Sequence, residues 1–317
     1  MSIAIVTEAL SDEPLAWLGQ RCSVVKAPVG SREFDDLASE CNALIVRTYT
    51  TVDAMLLDRL PNLKVVARAG VALDNIDVKA CRDRGVEVVH APGANSTAVA
   101  EYVFALLFDA LRPRVFLDRS LDQTQWEQTR GELIARRQLR ECVLGIWGFG
   151  RIGKLVARAA RAFDVETIYH DVVDVDEDHR HGATPVTREV LLKQSDIVTV
   201  HVDDRPTNRG LVDVDAFGRM KSDVVFLNCA RGLIVDPVAC AEFFVAHPSA
   251  LAMLDVHDPE PFGPTHPLLD IQNVHLAPHI AAATEFAKTN MSWVVRDVDR
   301  VLRGDPPEHP APTTAIA

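Results

Sequence analysis

The sequence predicts an α/β protein with two sheets of parallel strands. Three observations carry this prediction. Short β-branched runs alternate with helix-like stretches along nearly all of the 317 residues. The runs are apolar at successive rather than alternate positions, as in strands covered by helices on both faces. They also fall into two sets, 2–6, 43–46, 64–67 and 86–89, then 142–147, 165–170, 196–201, 223–228, 250–255 and 273–276.

Between the sets lies a helical pattern over 95–119, opened by Asn95, Ser96 and Thr97 with Glu101 as N-terminal signals. Residues 120–141 are polar and Arg-rich around Trp126. They read either as an arm that packs on a partner subunit or as a solvated connection. A last helix is expected over 283–303, ending at Arg303-Gly304. The tail from Asp305 carries Pro306, Pro307, Pro310 and Pro312 and reads as extended or disordered.

Composition narrows the function. Apolar residues make up 48% and charged residues 25%, which fits a globular chain. At roughly 100–200 residues per domain the length suggests two domains. The formal charge of −12, with no basic cluster, disfavours a nucleic-acid partner. No run approaches the ~18 apolar residues of a membrane span. The start, Met1-Ser2-Ile3-Ala4-Ile5-Val6 followed by Glu8, lacks the basic and longer apolar parts of a signal peptide. Cys22, Cys41, Cys81, Cys142, Cys229 and Cys240 form no C-x-x-C pair and read as buried thiols of a cytoplasmic protein. His179-Arg180-His181 sits among Asp174, Asp176, Glu177 and Asp178, which favours a solvated loop over a metal site.

The strongest local signal is G-x-G-x-x-G at Gly148, Gly150 and Gly153, after a strand and opening a helix. Gly148 permits the tight turn, Gly150 lets backbone approach a pyrophosphate, and Gly153 lets the helix pack on the strand. Free N–H groups of the helix start, at Arg151 and Ile152, face the phosphates. Asp171 ends the next strand, 18 residues beyond Gly153, where a ribose-binding acid belongs. Val172 and Val173 offer no cation for a 2′-phosphate, so NAD is expected rather than NADP.

With four further stretches the chain resembles the D-isomer-specific 2-hydroxyacid dehydrogenase family over nearly its whole length. These are Ala69 to Asp77 (Ala-Gly-Val-Ala-Leu-Asp-Asn-Ile-Asp), Asn228-Cys229-Ala230-Arg231-Gly232, Leu254 to Pro261 and Ala277 to Thr284. Leu44-Ile45-Val46-Arg47 and Ala67-Arg68-Ala69-Gly70 look most like its 3-phosphoglycerate dehydrogenase-like members. A short form is expected, without the C-terminal regulatory domain that many of those carry. The resemblance implies two doubly wound, Rossmann-like domains with the active site in the cleft between them. Residues 1–94 and 283–317 would form a flavodoxin-like substrate domain, and 95–282 an inserted NAD-binding domain.

The resemblance also implies roles. Arg231 would hold the substrate carboxylate and polarise the ketone; His279 would be the acid–base group, with Glu260 orienting it. Val202, Cys229, Ala230, Asp255, Ala281 and Ala282 match cofactor-contact positions. Asp255 reads either as a neighbour of the nicotinamide or as a strand-end residue that fixes its loop. Ala69, Gly70 and Val71 would offer N–H groups to the substrate carboxylate. Arg47 and Arg68 read as anchors for an anionic substrate or as surface salt bridges.

Some positions depart from the family. Ala72-Leu73 replaces a common Gly-Val, which would reshape the pocket or merely repack it. Asp203 stands where proline is frequent and Asn208 where threonine is. An extra carboxylate at Asp203 is expected to weaken the pyrophosphate contact. The implied activity is hydride transfer between NAD and a small anionic 2-hydroxy or 2-keto acid. The first substrate expectation is 3-phosphoglycerate/phosphohydroxypyruvate, with glycerate/hydroxypyruvate or glyoxylate next. A non-catalytic NAD(H)-sensing protein is the alternative. A homodimer is expected, with no nucleic-acid, membrane or metal partner.

Overall fold

The computed structural model describes residues 2–112 and 114–312. They form two compact units. Among the described residues, one holds 2–95 and 282–312; the other is Ser96–Ala281.

The first unit carries strands β1 (Ile3–Val6), β2 (Ser23–Lys26), β3 (Cys41–Val46), β4 (Val65–Arg68) and β5 (Glu87–Val89). All pair in parallel, in the order β2-β1-β3-β4-β5. This is a doubly wound sheet whose strand order reverses between β1 and β3, and open sheets of this kind bind ligands beyond the strand ends at that reversal. Ile5, Leu44, Val46 and Val66 are fully buried, with Phe34 packed over one face. Strand β2 is absent from the sequence reading. Its Ser23-Val24-Val25-Lys26 lies at the sheet edge, half-exposed, so only two of its four residues had to be apolar.

The last helix is two helices, Glu285–Ser292 and Val295–Arg303, rather than one over 283–303. At the break the Ser292 hydroxyl donates to the Lys288 carbonyl and accepts the Ser11 N–H, while Trp293 packs edge-on against Trp17. Gly304 closes the second helix in the left-handed conformation expected of it.

The tail is extended and docked, not disordered, as far as Pro312. Residue Pro310 bridges Val89 in antiparallel sense, and the Ala311 N–H donates to the Val88 carbonyl at 2.7 Å. Arg82 donates to the Ala311 and Pro312 carbonyls. Buried Asp297 accepts the N–H groups of Glu308 (2.6 Å) and His309 (3.2 Å). Prolines lack the N–H that a second neighbouring strand would need, so they suit this edge. Residues 313–317 lie outside the described residues.

The second unit carries β6 (Val143–Trp147), β7 (Glu166–His170), β8 (Thr184–Pro185), β9 (Ile197–Val200), β10 (Val225–Asn228), β11 (Leu251–Leu254) and β12 (Val274–Leu276). The order is β12-β11-β10-β9-β6-β7-β8, all parallel. The reversal falls between β6 and β9, the arrangement of a dinucleotide-binding sheet. Phe217, Phe226, Phe243 and Phe244 interlock over one face. Two-residue β8, with its proline, gives no periodic signal and the sequence reading passes over it.

The helix expected over 95–119 stops at Leu111. The next residues in sequence, Arg112-Pro113, supply the reason: proline brings no N–H and restricts the residue before it. Within 120–141 lies a helix, Gln123–Glu132, that opens with an Asp122–Gln125 capping box and buries none of its residues. No helix among the described residues is long and apolar enough to cross a membrane.

Asp297→Ala removes the acceptor shared by the Glu308 and His309 N–H groups. The expected cost is about 1.5–3 kcal/mol in denaturant unfolding, the scale of hydrogen bonds to a charged group. Proteolytic cleavage within 305–312 should become faster. An unchanged cleavage rate would show that Asp297 does not hold the tail.

Candidate active site

Both arms of the site in the second unit start from glycines. Gly148 follows β6 with φ +95°, and a Cβ there would lie 2.6–2.7 Å from the His201 carbonyl group and the Val202 nitrogen. Only a glycine lets the turn after β6 press on the backbone after β9. A Cβ at Gly153 would sit 2.4 Å from the Gly148 carbonyl oxygen, so the helix Arg151–Arg161 packs directly on the turn. Gly150 differs. Nothing lies within 4 Å of its missing side chain, and no side chain caps the helix it begins. Open space in front of uncapped N–H groups fits a pyrophosphate. Arg151 and Ile152 form the first turn, and half-buried Val202 borders it.

Asp171 comes directly after β7. Its carboxylate accepts the Phe149 N–H (2.5 Å) and the Val173 N–H (2.9 Å), tying it to the glycine turn. A carboxylate has about four acceptor positions, so it keeps capacity for a ribose hydroxyl. The residues present therefore fit a dinucleotide.

The loop after β9 departs from expectation. Asp203 is not a bare extra carboxylate: Arg205 grips it through Nε and Nη2, and Asn208 donates to it at 3.0 Å. The two family departures, 203 and 208, are partners of each other. Neighbouring His201 donates or accepts through Nε2 to Thr199 (2.9 Å), and burial pushes its pKa down to about 3, so it stays neutral.

The second arm lies on the loops after β10, β11 and β12. Asp255 is fully buried after β11. Its two oxygens accept the N–H groups of Ile280 and Ala281, each at 2.8 Å, while its carbonyl accepts the His279 N–H. Burial raises the Asp255 pKa against the pull of those two hydrogen bonds. The three bonds hold His279 at φ +54°, a left-handed conformation that non-glycine residues rarely adopt. The imidazole then meets Glu260: Nδ1 and Oε2 are 2.6 Å apart, and Oε1 accepts the His257 N–H at 2.7 Å. The hydrogen bond to Glu260 raises the His279 pKa, outweighing burial and repulsion from Arg231. Burial opposes ionisation of Glu260, but the bonds from His279 and His257 outweigh it and its pKa is lowered.

Arg231 follows β10. Asn228 shapes its loop by accepting the Ala230 N–H (3.0 Å) and donating to the Arg231 carbonyl (2.9 Å). A Cβ on Gly232 would lie 1.9 Å from the His257 carbonyl carbon, so this glycine alone lets the arginine loop close onto the Glu260 loop. The guanidinium donates from Nη1 to its own Ala230 carbonyl, and its buried Nε lies 3.9 Å from Asp204. Cys229 and Ala230 are buried, and burial pushes the Cys229 thiol far up. Buried Ala281 closes this loop; Ala282 begins the return to the first unit.

The remaining candidates belong to the first unit. Glu8, after β1, accepts the N–H groups of Arg47, Thr48, Tyr49 and Thr50 and braces the loop after β3. Arg47 donates to the Ala9 carbonyl. Arg68 donates to Asn75 at 2.8 Å and lies 3.5 Å from Asp74. The N–H groups of Ala69 and Gly70 are spent on the Val46 and Arg68 carbonyls. Leu73 packs against the core of this unit, so the Ala72-Leu73 departure repacks. Sequence reasoning missed Asp204, Arg205 and the closeness imposed by Gly232. Asp204 and Arg205 belong to no motif, and only the fold shows what a Cβ at 232 would strike.

Residues 104–281 match the family model "D-isomer specific 2-hydroxyacid dehydrogenase, NAD binding domain". The chain belongs to this family. The second unit is its NAD-binding domain. The chain is 36% identical over 308 residues to D-3-phosphoglycerate dehydrogenase of Archaeoglobus fulgidus, covering 95% of this chain and 58% of that one. It is 32% identical over 316 residues to glyoxylate reductase of Thermofilum pendens, covering 95% and 92%. Among solved structures, the holo form of Rhodotorula graminis D-mandelate dehydrogenase superposes with a TM-score of 0.85 at 25% identity, covering 99% and 98%. The chain thus spans just over half the length of the phosphoglycerate dehydrogenase it matches.

Glu260→Gln keeps a hydrogen-bond acceptor but removes the charge that favours imidazolium. The His279 pKa, followed by NMR titration of the ring, should fall toward that of an ordinary histidine. A pKa unmoved by the substitution would mean that Glu260 does not set it.

Proposed function

We propose that the protein is an NAD-dependent oxidoreductase acting on a small D-2-hydroxy acid and its 2-keto acid. The observation that carries this reading is the imidazole–carboxylate pair of His279 and Glu260, on a loop system that also holds Arg231. In keto-acid reduction, His279 as imidazolium gives its proton to the carbonyl oxygen; in oxidation the neutral ring takes it back. Glu260 keeps the ring charged and turned. The Arg231 fork binds the carboxylate and polarises the ketone. Reduced nicotinamide, when bound, supplies the hydride. Gly148, Gly150, Arg151, Ile152 and Gly153 would hold the pyrophosphate and Asp171 the ribose, with Val202, Cys229, Ala230, Ala281 and Ala282 as flanking contacts. In the first unit, the Val71 N–H has no acceptor among the described residues and is offered to an anion.

The first substrate reading is 3-phosphoglycerate/phosphohydroxypyruvate, supported by Arg47, Arg68 and the likeness to the Archaeoglobus enzyme. One observation favours a second. Arg68 is faced by Asp74 and Asn75, and Arg231 by Asp204, so the positive charge is tempered as suits a monoanion such as glyoxylate or hydroxypyruvate. NADH oxidation with each of these keto acids decides between them: the larger kcat/KM identifies the substrate. NADH binding with no turnover on any would point to a sensor.

His279→Ala should lower kcat by about 10²–10⁴-fold while the NADH Kd stays within a few fold. Because Glu260 raises the His279 pKa, the reduction rate should fall as pH rises through that value, and at lower pH in Glu260→Gln. Full turnover in His279→Ala would remove the residue from the mechanism.

The working form we propose is a homodimer. Phe116 is 84% exposed and Ile134 78%, with Leu117 and Trp126 also open around the unburied helix Gln123–Glu132. A second copy is the occupant that the family expectation supplies. Sedimentation should give a dimer, and Phe116→Asp with Ile134→Asp a monomer; a dimer unaffected by both changes would place the interface elsewhere. The six free, buried thiols fit a reducing compartment such as the cytoplasm.

A further inference from the structure

The residues after Asp171 are valines, so no cation for a 2′-phosphate stands next to it in sequence. The sheet brings one from elsewhere. Strands β7 and β9 flank β6 on its two sides. The Gly148 N–H donates to the His170 carbonyl at 2.9 Å, and the place of its missing Cβ lies 2.7 Å from the His201 carbonyl oxygen. Asp171 and the loop from His201 to Asn208 therefore border the same glycine turn. In that loop stands Arg205, with 26% of its side chain exposed.

Arg205 is held along its Nε–Nη2 edge by one residue. Its Nε donates to Asp203 Oδ1 at 2.7 Å and its Nη2 to Oδ2 at 2.6 Å, a bidentate pair. Its own N–H points at Oδ1 from 3.3 Å. Asn208 Nδ2 adds bonds to Oδ1 (3.0 Å) and to the Asp203 carbonyl (3.1 Å), which fix the carboxylate. The charge of Asp171 adds to that of Asp203 in keeping Arg205 protonated. The three side chains together carry one net negative charge.

A guanidinium fork is the group best matched to a phosphate. Near a ribose it accommodates the 2′-phosphate that an acid there repels. With Asp203 in place, the charge of the fork is paired along its Nε–Nη2 edge, and an incoming phosphate meets two carboxylates. Without Asp203, one negative charge is gone and the fork is released. We infer that Asp203 is a specificity-determining residue: by pairing with the Nε–Nη2 edge of Arg205 it neutralises and anchors the guanidinium, leaves Asp171 to set the charge at the ribose, and so keeps the site selective for NADH over NADPH. This rests on the reading of the glycine turn as a dinucleotide cradle.

The test is equilibrium binding of NADH and NADPH, by nicotinamide fluorescence at fixed ionic strength. It uses the full chain, Asp203→Ala, Asp203→Asn, Arg205→Ala and the Asp203→Ala/Arg205→Ala double variant. Asp203→Ala should tighten NADPH by about tenfold or more, the scale of a charge-assisted hydrogen bond, with NADH changed less than about threefold. Asp203→Asn, which keeps the shape of the loop, should move the same way by less. The double variant should return NADPH to near its original Kd, and added salt should erase the gain. An unchanged NADPH Kd in both single Asp203 variants overturns the inference. So does equal tightening in the double variant, since the gain would then be loss of a carboxylate and not release of Arg205. Failure of the unaltered chain to bind NADH at all would instead overturn the cradle reading, and this inference with it.

Discussion

A buried carboxylate holds the site together. Asp255 is removed from water, where an unpaired negative charge is costly, and both oxygens are taken up by the backbone of Ile280 and Ala281. With its carbonyl bound to His279, one residue at the end of β11 fixes three consecutive N–H groups. That grip keeps His279 in a conformation it would not choose, and from there the ring reaches Glu260. The His279–Glu260 pair is thus supported by a residue whose oxygens are spent on backbone.

Close backbone approach is the second constraint. Gly148, Gly153 and Gly232 each stand where a methyl group would strike another stretch of main chain. Gly148 and Gly153 shape the turn that leaves open space before a helix start, and Gly232 draws the arginine loop against the Glu260 loop. These contacts are between loops at strand ends, where an open α/β sheet exposes its ligand sites. Gly150 is the exception, because the space beside it is open rather than filled by protein.

Charge is tempered residue by residue. Asp203 holds Arg205, Asp204 faces Arg231, and Asp74 with Asn75 faces Arg68. In a chain of net charge −12, these three cations each have an acid set against them. Local pairing, rather than overall charge, decides which anion such a chain can hold.

Much was legible in the sequence because it follows from local rules. Runs apolar on both faces gave the parallel strands, and the spacing of Gly148, Gly150, Gly153 and Asp171 gave the glycine turn and the acid bonded to it. Arg231, Glu260 and His279 were named through a resemblance of motifs, since no periodicity distinguishes them from surface residues. Other features were settled only by the folded chain. The edge strands β2 and β8 carry too little apolar signal to be seen. The tail's prolines read as extended or disordered, and only an edge of β5 and the Asp297 carboxylate decided for a docked, extended tail. Asp203 read as a stray charge until Arg205 and Asn208 closed on it, and Gly232 as an ordinary turn until His257 was found against it. Local sequence determines what a residue can donate, accept or pack. Which residues meet across loops depends on strand order and on the space between backbones, and these exist only once the sheet has formed.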